Sequence, residues 1–188
     1  LAGSSSLYEF VVFKNLSKDH LHEIKKLDSL IKLKLNFGEI SKQLKKYNDK
    51  NESFFLAVGY SLPHLPFIQP RKYGELYNYD DLIFTEQRTQ PLNSPSRSIA
   101  HDWTELRNWY IDIPESGPVS LKMEEDLIKS YYATITYLDT LVGKLIKSLD
   151  DLGLSDNTTI VFWSDHGFFL GEHGMWCKHH TFQEAIHV

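Results

Sequence analysis

The sequence predicts an α/β fold, with a mostly parallel sheet flanked by helices. Three observations carry that expectation. "FFLAVGY", Phe54 to Tyr60, is apolar on both faces and too short for a helix, the signature of a buried strand. Leu127, Ile128, Tyr131, Ile135, Leu138, Val142, Leu145, Ile146 and Leu149 fall at helical spacing and form one apolar stripe. Thr158 to Trp163 is then a second β-branched and aromatic run. Two buried strands joined through a packed helix predict parallel neighbours, linked by a right-handed crossover.

The elements follow in chain order. Leu21, Ile24, Leu27, Leu30 and Ile31, then Phe37, Ile40, Leu44 and Tyr47, repeat every three or four residues and predict helix. Asn48-Asp49-Lys50-Asn51 ends it in a turn, and the first strand follows. Ser61 to Val119 is proline-rich and aperiodic, a long excursion of the kind that decorates a site rather than building a core. Ser120 is placed to cap the main helix. Glu124, Glu125 and Asp126 lie near its positive end, Lys144 and Lys147 near the other, and Gly153 stops it.

Composition excludes several classes. With 20 Lys and Arg against 25 Asp and Glu, the net charge of -5 opposes nucleic-acid binding, which needs a basic surface. No apolar run approaches the roughly 20 residues that span a bilayer. The single cysteine, Cys177, permits no internal disulfide. Asn15, Asn51 and Asn157 each open an Asn-x-Ser/Thr acceptor pattern, which points to a secretory route.

In a parallel sheet every strand ends at one edge, and ligands bind there. After the first strand comes "SLPHLPF"; after the second, "SDHGFFLGEHG". Asp165 and His166, held at a strand end, have the donor types of a divalent-cation site, although an acid capping a helix beside a turn histidine would look the same. His64, between Pro63 and Pro66, is restricted in direction and suited to proton transfer; an ordinary loop histidine is the plain alternative. Lys178 could meet an anionic substrate as a compact charge, although a merely solvated lysine is the plain alternative. His173, Cys177, His179 and His180 suggest zinc, but these ligands would crowd one another, and a small packed thiol is the simpler reading of Cys177.

In their order, FFLAVGY-x-x-PH-x-PF, YLD-x-x-VG and SDHG-x-x-LGEHG-x-W-x-K resemble the sulfatase family of the alkaline-phosphatase-like superfamily, over Lys34 to Val188. The resemblance implies a partial sulfatase catalytic domain across residues 1–188, with 1–33 only weakly assigned to it and 61–119 as a long active-site excursion. It also implies a hydrolase that removes sulfate from a sulfated sugar such as a glycosaminoglycan, in a lysosomal or secreted glycoprotein. Asp165 and His166 match half of the family's metal site, which binds a divalent cation, calcium in most members. His64 matches a histidine near the leaving group, Lys178 a lysine that contacts the sulfate, and His173 a residue lining the site. Calcium prefers hard oxygen donors, so the imidazole sits uneasily with it.

The chain departs from the family in three ways. The formylglycine nucleophile arises from the cysteine of Cys-x-Pro-Ser-Arg, and that motif does not occur here; Cys177 is followed by Lys178, His179 and His180. The pair of aspartates that completes the metal shell does not occur either. Ser61 stands where relatives often carry a histidine. The expectation is a fragment, inactive alone, that holds the later half of the domain. Two other readings compete: a phosphodiesterase or phosphonate hydrolase of the same superfamily, and a catalytically dead glycan-binding module.

Overall fold

The computed structural model describes residues 8–14, 37–51, 53–95, 104–115 and 118–188. The predicted helical stretch from Leu21 to Ile31 and the acceptor Asn15 lie outside them. The chain divides into two compact units. One comprises Leu7–Ser61 with Leu138–Trp163, the other mainly Leu62–Tyr137 with Ser164–Val188.

In the first unit, strands β1 (Tyr8–Lys14), β2 (Phe55–Tyr60) and β3 (Thr158–Trp163) form one sheet in the order β2-β1-β3. Here the structure corrects the sequence. The two anticipated strands are not neighbours; β1 lies between them, antiparallel to both. "YEFVVFK" is as apolar and β-branched as the other two runs, so it can supply an antiparallel partner to each. Being antiparallel to one strand, β2 and β3 run in the same direction. Their ends, Tyr60 and Trp163, pair with Tyr8 and Glu9, so both strands finish at one edge.

The core of this unit packs helix against strand. Helix α1 (Phe37–Asp49) contributes Ile40 and Leu44, and β2 contributes Leu56 and Val58. Helix α4 (Leu121–Asp151) adds Leu145 and Leu149 from its C-terminal half. The end of α4 matches its sequence signal. Gly153 takes φ 66, its N–H donates to the Asp150 carbonyl at 2.9 Å, and the Leu154 N–H donates to the Leu149 carbonyl at 2.9 Å. This pair of hydrogen bonds satisfies carbonyls that a helix end leaves open, and the buried Leu149 and Leu154 close the motif with an apolar contact.

The second unit holds the short helices α2 (Arg71–Gly74), α3 (Thr104–Trp109) and α5 (Gln183–Ile186), and a two-stranded ribbon of β4 (Phe169–Leu170) and β5 (Trp176–Cys177). The N-terminal part of α4 begins as anticipated: the Met123 N–H donates to Ser120 Oγ at 3.2 Å. Leu127 and Ile128 pack there with Leu65, Phe67, Leu106, Trp176 and Cys177.

Candidate active site

His64 sits in the loop that follows β2. Its Nδ1–H donates to the Leu65 carbonyl at 2.7 Å, which leaves Nε2 as the acceptor nitrogen of the neutral ring. Lys178 Nζ lies 2.8 Å from that Nε2 and donates to it. The same ammonium donates to Glu105 Oε1 at 2.6 Å, and this oxygen is also 2.9 Å from His64 Nε2. The second oxygen, Oε2, is 3.1 Å from His179 Nε2. One carboxylate therefore joins three basic side chains. The Lys178 side chain is only 5% exposed, and an ammonium that dry needs an anionic partner.

Local structure explains how these groups meet. Cys177 takes φ 69, in the left-handed region that a non-glycine residue enters at a cost of about 1–2 kcal/mol. The pairing of β4 with β5 and the burial of Trp176 and Cys177 against Leu106 hold it there, one residue before Lys178. Leu106 is fully buried, which anchors α3 and the Glu105 beside it. The loop of His64 is tied down as well, because the Phe67 N–H donates to Tyr110 Oη at 2.8 Å.

Asp165 and His166 follow β3. His166 Nδ1–H donates to the Gly167 carbonyl at 2.6 Å, and Ser164 Oγ donates to the His166 carbonyl at 2.9 Å. The ring therefore presents Nε2 as its lone-pair nitrogen, as a metal-ligating histidine does when a carbonyl holds its other nitrogen. That Nε2 lies 3.7 Å from Asp165 Oδ1. Two donors at right angles around a cation, each about 2.4 Å from it, would be ~3.4 Å apart, so the pair fits one shared cation. It fills only part of a shell. Among the described residues no group of three or more His, Cys, Asp or Glu side chains could hold a metal ion by itself. The zinc arrangement of Cys177, His179 and His180 is accordingly not formed.

Gly167 fixes this loop, and not through a special φ. A Cβ at position 167 would stand 2.0 Å from the Glu184 carbonyl oxygen and 2.6 Å from that of His187. Only glycine lets the chain run this close to α5, where the Gly167 N–H donates to the Ala185 carbonyl at 2.9 Å. An aromatic cluster then joins the two loops. The Phe67 ring lies 5.9 Å from Phe168 and 5.4 Å from Tyr131, and those two stack at 5.5 Å.

His173 lies in the GEHG turn. Its contacts hold the GEHG turn: the backbone N–H meets the Gln87 carbonyl at 2.5 Å, Nε2 lies 3.1 Å from Glu184 Oε1, and the ring packs 5.1 Å from Phe182. None of these described contacts is with His64 or Lys178. The residue that sequence reasoning missed is Glu105. It stands in a six-residue helix inside the excursion, too short to show a period, and one acid there carries no signal.

Charge tunes the cluster. Burial pushes the Glu105 carboxyl up, but the Lys178 hydrogen bond and the charges of Lys178, His64 and His179 outweigh it and hold the group below the ordinary carboxylate range. Burial, with the Glu105 charge, pushes the Cys177 thiol up to about 12, so it remains a neutral packed side chain. Burial and the neighbouring His179 hold His180 below the usual imidazole value.

The loops of this α/β protein thus carry an acid–imidazole pair of cation-donor types and a buried ammonium beside an imidazole. The sulfatase family model matches residues 31–188, and the chain belongs to the sulfatase family. It is 38% identical over 152 residues to the iduronate 2-sulfatase of Homo sapiens, covering 77% of this chain and 27% of that protein. The Mus musculus iduronate 2-sulfatase is 37% identical over 157 residues, covering 80% of this chain and 28% of that protein. The choline-sulfatase of Rhizobium meliloti is 30% identical over 148 residues, covering 78% and 28%. The chain thus spans about a quarter of the length of the curated relatives it matches.

Proposed function

We propose that the chain is part of a sulfuric ester hydrolase, similar to iduronate 2-sulfatase, that releases sulfate from a sulfated sugar such as a glycosaminoglycan. The observation that carries this reading is the contact of His64 with Lys178 at 2.8 Å, between loops 114 residues apart. Lys178 contributes a buried ammonium that can donate to a sulfate oxygen. His64 keeps its Nδ1–H on a carbonyl, so Nε2, once protonated, is the nitrogen that donates to the sulfate or passes its proton to the departing alcohol. Asp165 and His166 would hold a divalent cation, calcium by family resemblance, which when bound neutralises charge on the sulfate oxygens. A sulfate ester gains from such help because negative charge builds on the departing oxygen.

The nucleophile is expected to be a formylglycine from a Cys-x-Pro-Ser-Arg segment that these 188 residues do not contain. A lysosomal or secreted setting accords with the exposure of Asn51 and Asn157, two of the glycan-acceptor positions. No helix among the described residues is long and apolar enough to cross a membrane.

The test uses the protein at the full length of its relatives, assayed with an aryl sulfate and the matching aryl phosphate. Lys178→Ala and Asp165→Asn are each expected to lower sulfate-ester turnover by about 10²–10³-fold. Near-normal turnover in both variants rejects the assignment, and preference for the phosphate ester moves the reading to a phosphoester hydrolase.

A further inference from the structure

We infer that Glu105 is a positioning residue for the sulfate-binding pair, its carboxylate holding the Lys178 ammonium and the His64 imidazole in the orientation that meets the ester. This role rests on the sulfatase reading and adds to it a residue from the excursion.

The geometry carries the inference. An ammonium has three N–H donors on a flexible four-carbon stem, and alone it is a poorly aimed charge. Two of those donors are taken, one by His64 Nε2 at 2.8 Å and one by Glu105 Oε1 at 2.6 Å. Two fixed acceptors define the direction of the third N–H, which remains for a sulfate oxygen. Glu105 Oε1 also lies 2.9 Å from His64 Nε2, so the same oxygen accepts the Nε2–H hydrogen bond whenever the imidazole is charged. The helix that supplies Glu105 is itself held, through the buried Leu106 next door, against Trp176 and Cys177 of the strand that precedes Lys178.

Among the described residues, the groups facing the carboxylate fit a positioning hub. Lys178 and His64 meet Oε1, His179 meets Oε2, and the Cys177 thiol nearby is neutral. Glutamine at 105 keeps the shape but loses the charge, and aspartate keeps the charge one methylene short. The Glu105 side chain is 17% exposed, which places it at the rim, where it can act without filling the space of a ligand.

The experiment is a double-mutant cycle in the full-length protein with an aryl sulfate. Wild type is compared with Glu105→Gln, Glu105→Asp, Lys178→Ala and the combination of Glu105→Gln with Lys178→Ala. Glu105→Gln is expected to lower kcat/KM about 10- to 100-fold per folded molecule, with kcat falling, and Glu105→Asp to recover part of the loss. On a Lys178→Ala background the Gln change is expected to cost less than about threefold, since Glu105 acts through that lysine. Melting curves accompany each variant; a purely structural role would lower Tm and leave kcat per folded molecule unchanged. Should Glu105→Gln not fold, Glu105→Asp runs the same cycle. Wild-type kcat/KM in the variant, or losses that multiply in the double mutant, overturns this role while leaving the sulfatase reading intact. A wild-type protein with no sulfate-ester turnover overturns that reading and this role with it.

Discussion

Glu124 and Glu105 are acids of one unit with opposite pH behaviour, and their surroundings explain it. Glu124, on α4, is 7% exposed, and its Oε1 has no hydrogen-bond partner although Arg88 Nη2 lies 3.2 Å away. That approach is near enough for charge attraction but misaligned as a hydrogen bond; Arg88 Nη1 donates instead to the other oxygen, Oε2, at 3.2 Å, and Oε1 stays unsatisfied. Burial pushes its carboxyl above the ordinary value; Arg88 opposes this, and Glu172 and Glu125 add to the rise. A raised folded-state pKa favours the fold while the group is protonated, and that stability is lost as pH rises through the raised value. Glu124→Gln is therefore expected to melt higher than wild type near neutral pH, with the gap closing as pH falls towards about 4. A wild type that melts higher at neutral pH would reject this. Glu105 has the reverse sign: its lowered pKa contributes stability above the ordinary carboxylate range, lost as pH falls through the lowered value.

At the scale of elements, Gly167 sets the course of the loop after β3. Gly167→Ala drives a methyl into the Glu184 carbonyl, a backbone neighbour that cannot swing aside as a side chain would. The expected cost is about 3 kcal/mol in denaturant unfolding, together with loss of sulfate-ester turnover in the full-length protein; wild-type stability would show that α5 is free to shift. Gly167 also marks how far the sequence could be read. Its presence was legible, but its reason is α5, some 17 residues on, and no local pattern announces a carbonyl from there. Helix α4 was legible at both ends, since Ser120 and Gly153 act within one turn of themselves. The strand character of Tyr8–Lys14 was available in the same apolar run that marks β2, yet its place between β2 and β3 is a long-range matter. Of the candidate site, His64 and Lys178 could be singled out by motif, whereas Glu105 gains meaning only when α3 packs beside β5.

For the molecule as a whole, β3 is the telling strand. It lies at the end of the described sheet and exposes Ile160, Val161, Phe162 and Trp163 at 38–50%. An apolar strand at the end of a sheet is a template for further pairing. The 188-residue chain is therefore expected to self-associate in light scattering, and Val161→Lys to reduce that association; a monodisperse wild type would count against it. The same chain, purified, is expected to show no aryl-sulfate turnover. Its one sulfhydryl, by contrast, is sealed beneath Leu106 and stays protonated in ordinary buffers. Iodoacetamide can reach that sulfur only when the surrounding structure opens. The pace of alkylation, followed by mass, would thus act as a clock for how often the floor beneath Lys178 comes apart.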